Sequence, residues 1–322
     1  MLPTVLKIGP QELTGREEQA YRQYVEKYIL NNATTILGMA ARGKWAGLCY
    51  NFLGIGGPDS TVEWLRYHYL RRPLDELTPL FRSLFTGILK PWYGQPGWEP
   101  IHPYAEHNPL RLFPGILQDA EKHLGISASQ ELIECEILST QLPNPYHFLK
   151  HEYPRRRERA FSGYRSITHG DLNMQNILVD ERENLYVIDF SETRYRSAVS
   201  DFARLEPILK IEMTRLETEA DLGGLLEFEL GLAKPSAMSE PPELTYRGSD
   251  PMVAKAFGII SLLRDLADRV TLFEENIVPY LLAVLEWTYP VVSYGSASLL
   301  QKKLAAWGAA IMVGRIRALD AD

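Results

Sequence analysis

The chain of 322 residues predicts an α+β fold, and three observations support this. Short apolar runs of strand composition gather before Leu53. A second pair of runs, Ile177-Leu178-Val179 and Leu185-Tyr186-Val187-Ile188, flanks the polar turn Asp180-Glu181-Arg182-Glu183-Asn184 and reads as a hairpin. Amphipathic helical patterns fill the chain beyond Asp201. At this length the apolar content supplies a core for one large domain or for two lobes. The net charge of −7 argues against non-specific nucleic-acid binding. Cys49 and Cys135 lie in apolar settings without metal-ligand spacing, as in a reduced, cytoplasmic protein. Met1-Leu2-Pro3 opens no signal peptide, and no uninterrupted apolar run is long enough to span a membrane.

In chain order, Val5-Leu6-Lys7-Ile8-Gly9 predicts a short strand carrying one lysine. Ala20, Tyr21, Tyr24, Val25, Tyr28 and Ile29 then form one helical stripe after Thr14-Gly15-Arg16. At 100° per residue, Glu17 falls inside that stripe and Glu18 toward its edge. A glutamate on a buried face needs a cationic partner, while Lys7, from its own strand alone, reads as a surface lysine on an edge strand. Ala46 to Leu53 predicts the next strand, paired with the segment around Ile36 to Arg42. Gly54-Ile55-Gly56-Gly57-Pro58 breaks the pattern; it lacks the lysine of a phosphate loop and reads as a turn. Ser60-Thr61-Val62-Glu63 has the form of a capping box opening a helix through Trp64, Leu65, Tyr67 and Leu70.

From Lys90 to Pro114, prolines, glycines and aromatics punctuate the chain so densely that a long irregular excursion is expected, with a substrate- or partner-contacting role. His102 and His107 in it are expected as packed or solvent-facing side chains, not ligands. Pro114 to Leu124 and Ile133 to Leu138 read as helix-prone. Arg155-Arg156-Arg157 with Arg159 reads as a solvated helix face, the alternative being a site for an anionic substrate. Asp201 opens a helix whose buried face is Phe202, Leu205, Leu209 and Leu216, and Lys234 to Asp250 is a loop. Val253 to Val270, Ile277 to Thr288 and Ala297 to Ala318 are amphipathic helices.

The chemistry lies between these regions. His169-Gly170-Asp171-Leu172-Asn173-Met174-Gln175-Asn176 places a carboxylate and, five residues on, a carboxamide. The hairpin that follows returns a second carboxylate, Asp189, toward the first. Two acids and an amide at strand ends suit Mg²⁺ and phosphate, because hard cations take oxygen ligands. His-Gly-Asp-Leu-x-x-x-Asn followed by Asp189-Phe190-Ser191 resembles the catalytic core of kinase-fold phosphotransferases. The His-Gly-Asp form, with a non-glycine after Asp-Phe, resembles the aminoglycoside phosphotransferase and choline kinase branch.

That resemblance implies a two-lobed protein-kinase-like fold. Residues 1–57 would form a small, incomplete β-rich N-lobe and 58–322 a mostly helical C-lobe with its catalytic hairpin at 167–190. It implies Mg²⁺-dependent phosphoryl transfer from ATP or another nucleoside triphosphate to a hydroxyl of a small molecule. Asp171 would be the base at the acceptor, Asn176 a metal ligand and Asp189 the main Mg²⁺ ligand. Lys7 would hold the α- and β-phosphates and pair with Glu17, and Gly54 to Pro58 would be the hinge. An Asp at the place of Asp201 supports the catalytic loop in that family, but Asp201 is read here as structural, at a helix N-terminus. Kinase-fold enzymes put two strands and a phosphate-covering loop before the lysine strand, yet six residues precede Lys7. The expectation is a fragment, a lost nucleotide lid, or strands supplied by later segments, a partner chain or an upstream domain. The alternative function is a pseudoenzyme, a kinase-like binding or scaffold module. Intact Asp171, Asn176 and Asp189 favour the enzyme; the missing lid favours the module. Neither nucleic acid nor membrane is expected as a partner.

Overall fold

The computed structural model describes residues 4–29, 32–51, 61–94, 96–272 and 275–321. Helix and sheet are mixed in it, and it divides into two compact units, Met1–Gly97 with Arg165–Asp201 and Trp98–Tyr164 with Phe202–Asp322. Among the described residues no helix is long and apolar enough to cross a membrane. The hinge expected at Gly54 to Pro58 lies outside the described residues.

The first unit opens with an antiparallel sheet of strands β1 (Thr4–Pro10), β2 (Ile36–Arg42) and β3 (Trp45–Asn51), ordered β1-β3-β2. Arg42 pairs with Trp45 across a two-residue turn, and Gly43 takes φ 63° there, as such tight hairpins require. β3 alternates, burying Ala46, Leu48 and Tyr50. Helix α1 (Gln11–Ala20) packs on this sheet and buries Thr14, Glu17 and Ala20.

A second sheet of β4 (Val62–Trp64), β5 (Ile177–Asp180) and β6 (Leu185–Val187) has the order β6-β5-β4. β5 and β6 form the expected hairpin, and Asp180 Oδ1 closes its turn by accepting from the backbone N–H groups of Arg182 and Asn184, both at 2.9 Å. β4 replaces the expected helix start. Val62, Glu63 and Trp64 pair with Asp180, Val179 and Leu178, and the helix α2 (Leu65–Arg71) begins only after them, without a side-chain cap. The local capping pattern loses here to a long-range strand pairing. Helix α3 (Leu74–Ser83) follows.

The segment from Lys90 to Pro114 is more regular than its punctuation suggests. It holds short helices at Lys90–Tyr93 and Pro103–Glu106, a strand at Gly97–Ile101 and a 3₁₀ turn at Pro109–Arg111. The three helical pieces each carry proline at their first or second position, where its missing N–H costs no hydrogen bond.

In the second unit the helix-prone reading of Ile133 to Leu138 gives way to a hairpin of Leu132–Cys135 and Thr140–Pro143. Its period is two, with Ile133 and Cys135 inward. The helices α4 (Glu219–Leu232), α5 (Pro251–Val270), α6 (Val278–Thr288) and α7 (Leu299–Leu319) supply most of this unit's core. A charged cluster is buried among them. Glu206 accepts from Arg264 Nη2 at 2.8 Å and from the Tyr280 hydroxyl at 3.0 Å, and lies 3.7 Å from Lys210. Lys210 in turn meets Glu229 at 2.8 Å. Burial would raise Glu206, but the charges of Arg264 and Lys210 outweigh it and hold its pKa below the ordinary value.

His107 is buried, its Nδ1 3.0 Å from Glu286 Oε2, whereas His102 is exposed. The basic cluster is only partly a solvated face: Arg156 and Arg159 reach Asp320 at 3.1 and 2.5 Å.

Candidate active site

The site lies within the first unit. Lys7 is the fourth of the seven residues of β1, on the face turned toward α1, and its Nζ donates to Glu17 Oε2 at 2.7 Å. Glu17 is 2% exposed, so its carboxylate must be satisfied by protein. The Tyr50 hydroxyl, from β3, donates to the other oxygen, Oε1, at 2.7 Å. Lys7 Nζ also lies 3.0 Å from Asp189 Oδ1, just beyond β6. One cation thus holds two carboxylates, one buried and one half-exposed.

The electrostatics follow from this arrangement. Burial would lower Lys7, but Glu17, by hydrogen bond and charge, and then Asp189 outweigh it and raise its pKa. Burial would raise Asp189, but the Lys7 charge and the hydrogen bonds from Lys7 and Ser191 hold it below the usual carboxylate range. Burial and then Glu17 push Tyr50 far up, which keeps it a neutral donor.

Asp189 adopts φ 64°, a conformation costly for most side chains and better tolerated by aspartate. Phe190 behind it is fully buried against His169, Tyr21 and Trp92, at ring-centroid distances of 5.4, 6.3 and 6.5 Å. Ser191 Oγ donates to Asp189 Oδ1 at 3.1 Å. The bonds from Lys7 and Ser191 therefore both fall on Oδ1.

The loop 169–176 is pinned from behind. Asp201, fully buried, accepts from the His169 N–H at 2.7 Å, the Gly170 N–H at 2.9 Å and the Tyr93 hydroxyl. This carboxylate serves the loop from the first turn of the helix Ser200–Pro207. Gly170 takes φ 83°, and a Cβ there would stand 2.2 Å from the Glu192 carbonyl oxygen, so only glycine fits. His169 Nε2 sits 2.9 Å from the Ile188 carbonyl and must carry the proton, which leaves Nδ1 to accept from the Asp171 N–H at 3.4 Å.

Asn176 and Asp189 stand at the same end of the hairpin. The ladder Ile177–Val187 continues through the Ile188 N–H, which donates to the Asn176 carbonyl at 3.0 Å. Asn176 Nδ2 donates to the Asp171 carbonyl at 2.9 Å, which fixes the amide and turns its oxygen the other way. Backbone and side chain of Asn176 thus tie Asp171 to the strand end that precedes Asp189.

A cavity of about 440 Å³ opens beside Lys7. Val5, Val62, Leu178 and Ile188 give it apolar walls, and Lys7, Glu17, Tyr50 and Asp189 line it with polar groups. Among the described residues no group of three or more His, Cys, Asp or Glu side chains is set to hold a metal ion.

The structure thus brings Lys7, Glu17 and Asp189 into direct contact and joins Asp171 to Asn176. Nothing in the sequence marked Tyr50, beyond its place on the buried face of β3.

The family model described as ternary complex associated domain 9 matches residues 1–134 and 124–277. No curated protein matches the chain. Among solved structures, the chain is similar to the aminoglycoside phosphotransferase APH(3'')-Id from Streptomyces rimosus in complex with ADP and streptomycin. That match has 14% identity and a TM-score of 0.35, covering 63% of this chain and 70% of that one. A second structure of that protein matches at 13% identity and TM-score 0.37, over 81% and 86% of the two chains. The choline kinase LicA from Streptococcus pneumoniae matches at 10% identity and TM-score 0.37, over 99% and 86%.

Proposed function

We propose that this chain, which belongs to the ternary complex associated domain 9 family, is a kinase-like phosphotransferase. In this reading it moves a phosphoryl group from a nucleoside triphosphate, with Mg²⁺, to a hydroxyl of a small molecule. The observation that carries it is Lys7, held at 2.7 Å by buried Glu17 and at 3.0 Å by Asp189, beside a cavity with apolar walls. A surface Lys–Asp pair alone would say little. A lysine fixed by a buried, doubly bonded glutamate is different, because its direction is set before any ligand arrives.

Each residue then has a chemical task. The walls Val5, Val62, Leu178 and Ile188 suit the flat faces of a nucleobase. Lys7 offers a cation to the phosphate oxygens. Asp189 is kept ionised by Lys7, and Asn176 has its amide oxygen turned away from Asp171, so both present oxygen donors suited to a hard cation. One carboxylate and one amide oxygen suit Mg²⁺, which is commonly held by one or two carboxylates together with phosphates and water. When bound, Mg²⁺ would neutralise phosphate charge. Asp171, on the loop braced by Asp201, would accept the proton of the acceptor hydroxyl. Residues 1–57 serve as the small lobe in this reading and 58–322 as the helical one.

The test is thermal-shift titration with ATP and other nucleoside triphosphates, with and without Mg²⁺, on three proteins. The unmutated chain should be stabilised most by nucleotide with Mg²⁺. Asp189→Ala should lose the Mg²⁺ dependence, and Asp171→Asn should bind normally while losing phosphoryl transfer. No response of the unmutated chain to any nucleotide would end this reading. Binding without transfer to any hydroxyl acceptor would leave the pseudoenzyme.

A further inference from the structure

Glu17 is the hinge of the lysine's geometry, and its carboxylate has two oxygens. Lys7 takes Oε2; the Tyr50 hydroxyl takes Oε1, also at 2.7 Å. Tyr50 stands opposite Val5 in the β1–β3 register, and Lys7 stands opposite Leu48, so tyrosine and lysine rise from the same face of the sheet two residues apart. Both line the cavity with Glu17. The terminal torsion of a glutamate is soft, and a carboxylate held at one oxygen alone keeps rotational freedom. Held at both, it has a fixed plane. Asp189 competes for the same ammonium at 3.0 Å.

We infer that Tyr50 is a positioning residue. By anchoring Glu17 Oε1 it aims Oε2 at Lys7 and holds the ammonium between Glu17 and Asp189, ready for phosphate. This rests on the phosphotransferase reading. Tyrosine suits the task because its ring fills the buried strand face while its hydroxyl supplies one neutral donor. Phenylalanine would keep the packing and remove only the donor. The buried carboxylate would then lose one of its two bonds, and Lys7 would be drawn toward Asp189, away from the direction the phosphates need.

A double-mutant cycle on the affinity for ATP with Mg²⁺ tests this, using Tyr50→Phe, Glu17→Ala and the pair. Tyr50→Phe should weaken binding about tenfold in the otherwise unmutated chain, the scale of one hydrogen bond to a charged group. In the Glu17→Ala background the same change should cost less than about twofold. Glu17→Leu takes the place of Glu17→Ala if the alanine variant does not fold. A packing defect would instead weaken binding by a similar factor in both backgrounds. Equal losses in both backgrounds, or no loss at all, overturn the inference while the phosphotransferase reading stands. If the unmutated chain binds no nucleotide, both fall.

Discussion

Replacing Asp201 by asparagine removes one negative charge from the carboxylate that braces residues 169 and 170, with almost no change in volume. Oδ2 receives the His169 N–H and the Tyr93 hydroxyl, and Oδ1 the Gly170 N–H. An asparagine can present its oxygen to only one of these sides. The better choice keeps the oxygen toward His169 and Tyr93 and turns the amide NH₂ against the Gly170 N–H, leaving two donors face to face in a buried place. One charge-assisted bond is then lost, worth roughly 1.5–3 kcal/mol, and the other two become ordinary neutral bonds. The sum is a loss of about 2–4 kcal/mol. Tyr93→Phe, which removes one donor and leaves the carboxylate two others, should cost about 1–2 kcal/mol. Chemical denaturation followed by intrinsic fluorescence measures both as shifts of midpoint at constant slope. An Asp201→Asn loss below about 0.5 kcal/mol would refute the assignment of Asp201 as the brace of residues 169 and 170. So would an Asp201→Asn loss smaller than that of Tyr93→Phe.

Three further outcomes follow from the same geometry. Gly170→Ala meets both a φ of 83° and a backbone oxygen at 2.2 Å, and should cost more than about 2 kcal/mol in denaturation; Gly125→Ala, at φ 68° with nothing within 4 Å, should cost only about 1 kcal/mol. Glu206→Ala leaves Arg264 and Lys210 buried with one anion fewer, so the unfolding free energy should fall by about 3–5 kcal/mol, and a smaller loss for Glu206→Ala than for Glu206→Gln would contradict the ion-pair account. The Lys7–Asp189 pair sets a pH window. Asp189 is held below its ordinary 3.8, so its stabilising share is present above that pH and lost as pH falls through its lower folded value. Lys7 is held above 10.5, so its share is present below that and lost as pH rises through its higher folded value. The gap in melting temperature between the unmutated chain and Lys7→Met should stay level from about pH 5 to 9 and narrow in acid; a gap that widens in acid would contradict the pairing.

The candidate site is legible in the chain wherever the proposed chemistry demands particular residues at fixed spacing. His169, Asp171, Asn176 and Asp189 needed no fold to be noticed, and the hairpin between them followed from two apolar runs around a polar turn. Glu17 was separable from Glu18 because helical periodicity puts one inside the apolar stripe and the other at its margin. What the chain did not disclose depends on distant partners. Tyr50 meets Glu17 only because β3 pairs with β1, and no local pattern specifies that pairing. Val62 and Glu63 fit a helix start, but β5 offers them a strand edge. Asp201 fits the start of its own helix, yet its bonds run to residues some thirty positions earlier. Leu132–Cys135 is the avoidable case, since Ile133 and Cys135 alternate at period two within the run itself.

Manganese in place of magnesium reports where the phosphates sit. Bound near a nucleotide, Mn²⁺ broadens the phosphorus resonances of that nucleotide, and the broadening depends on the metal and phosphates sharing one site. With ATP and Mn²⁺, the unmutated chain should broaden the β- and γ-phosphate signals in proportion to the protein added. Asp189→Ala should abolish the protein-dependent part, Asn176→Ala should weaken it, and Lys7→Met should reduce it by loosening the nucleotide. Equal broadening in the unmutated chain and Asp189→Ala would place the metal elsewhere and contradict the assignment of this cavity as the Mg²⁺–nucleotide site.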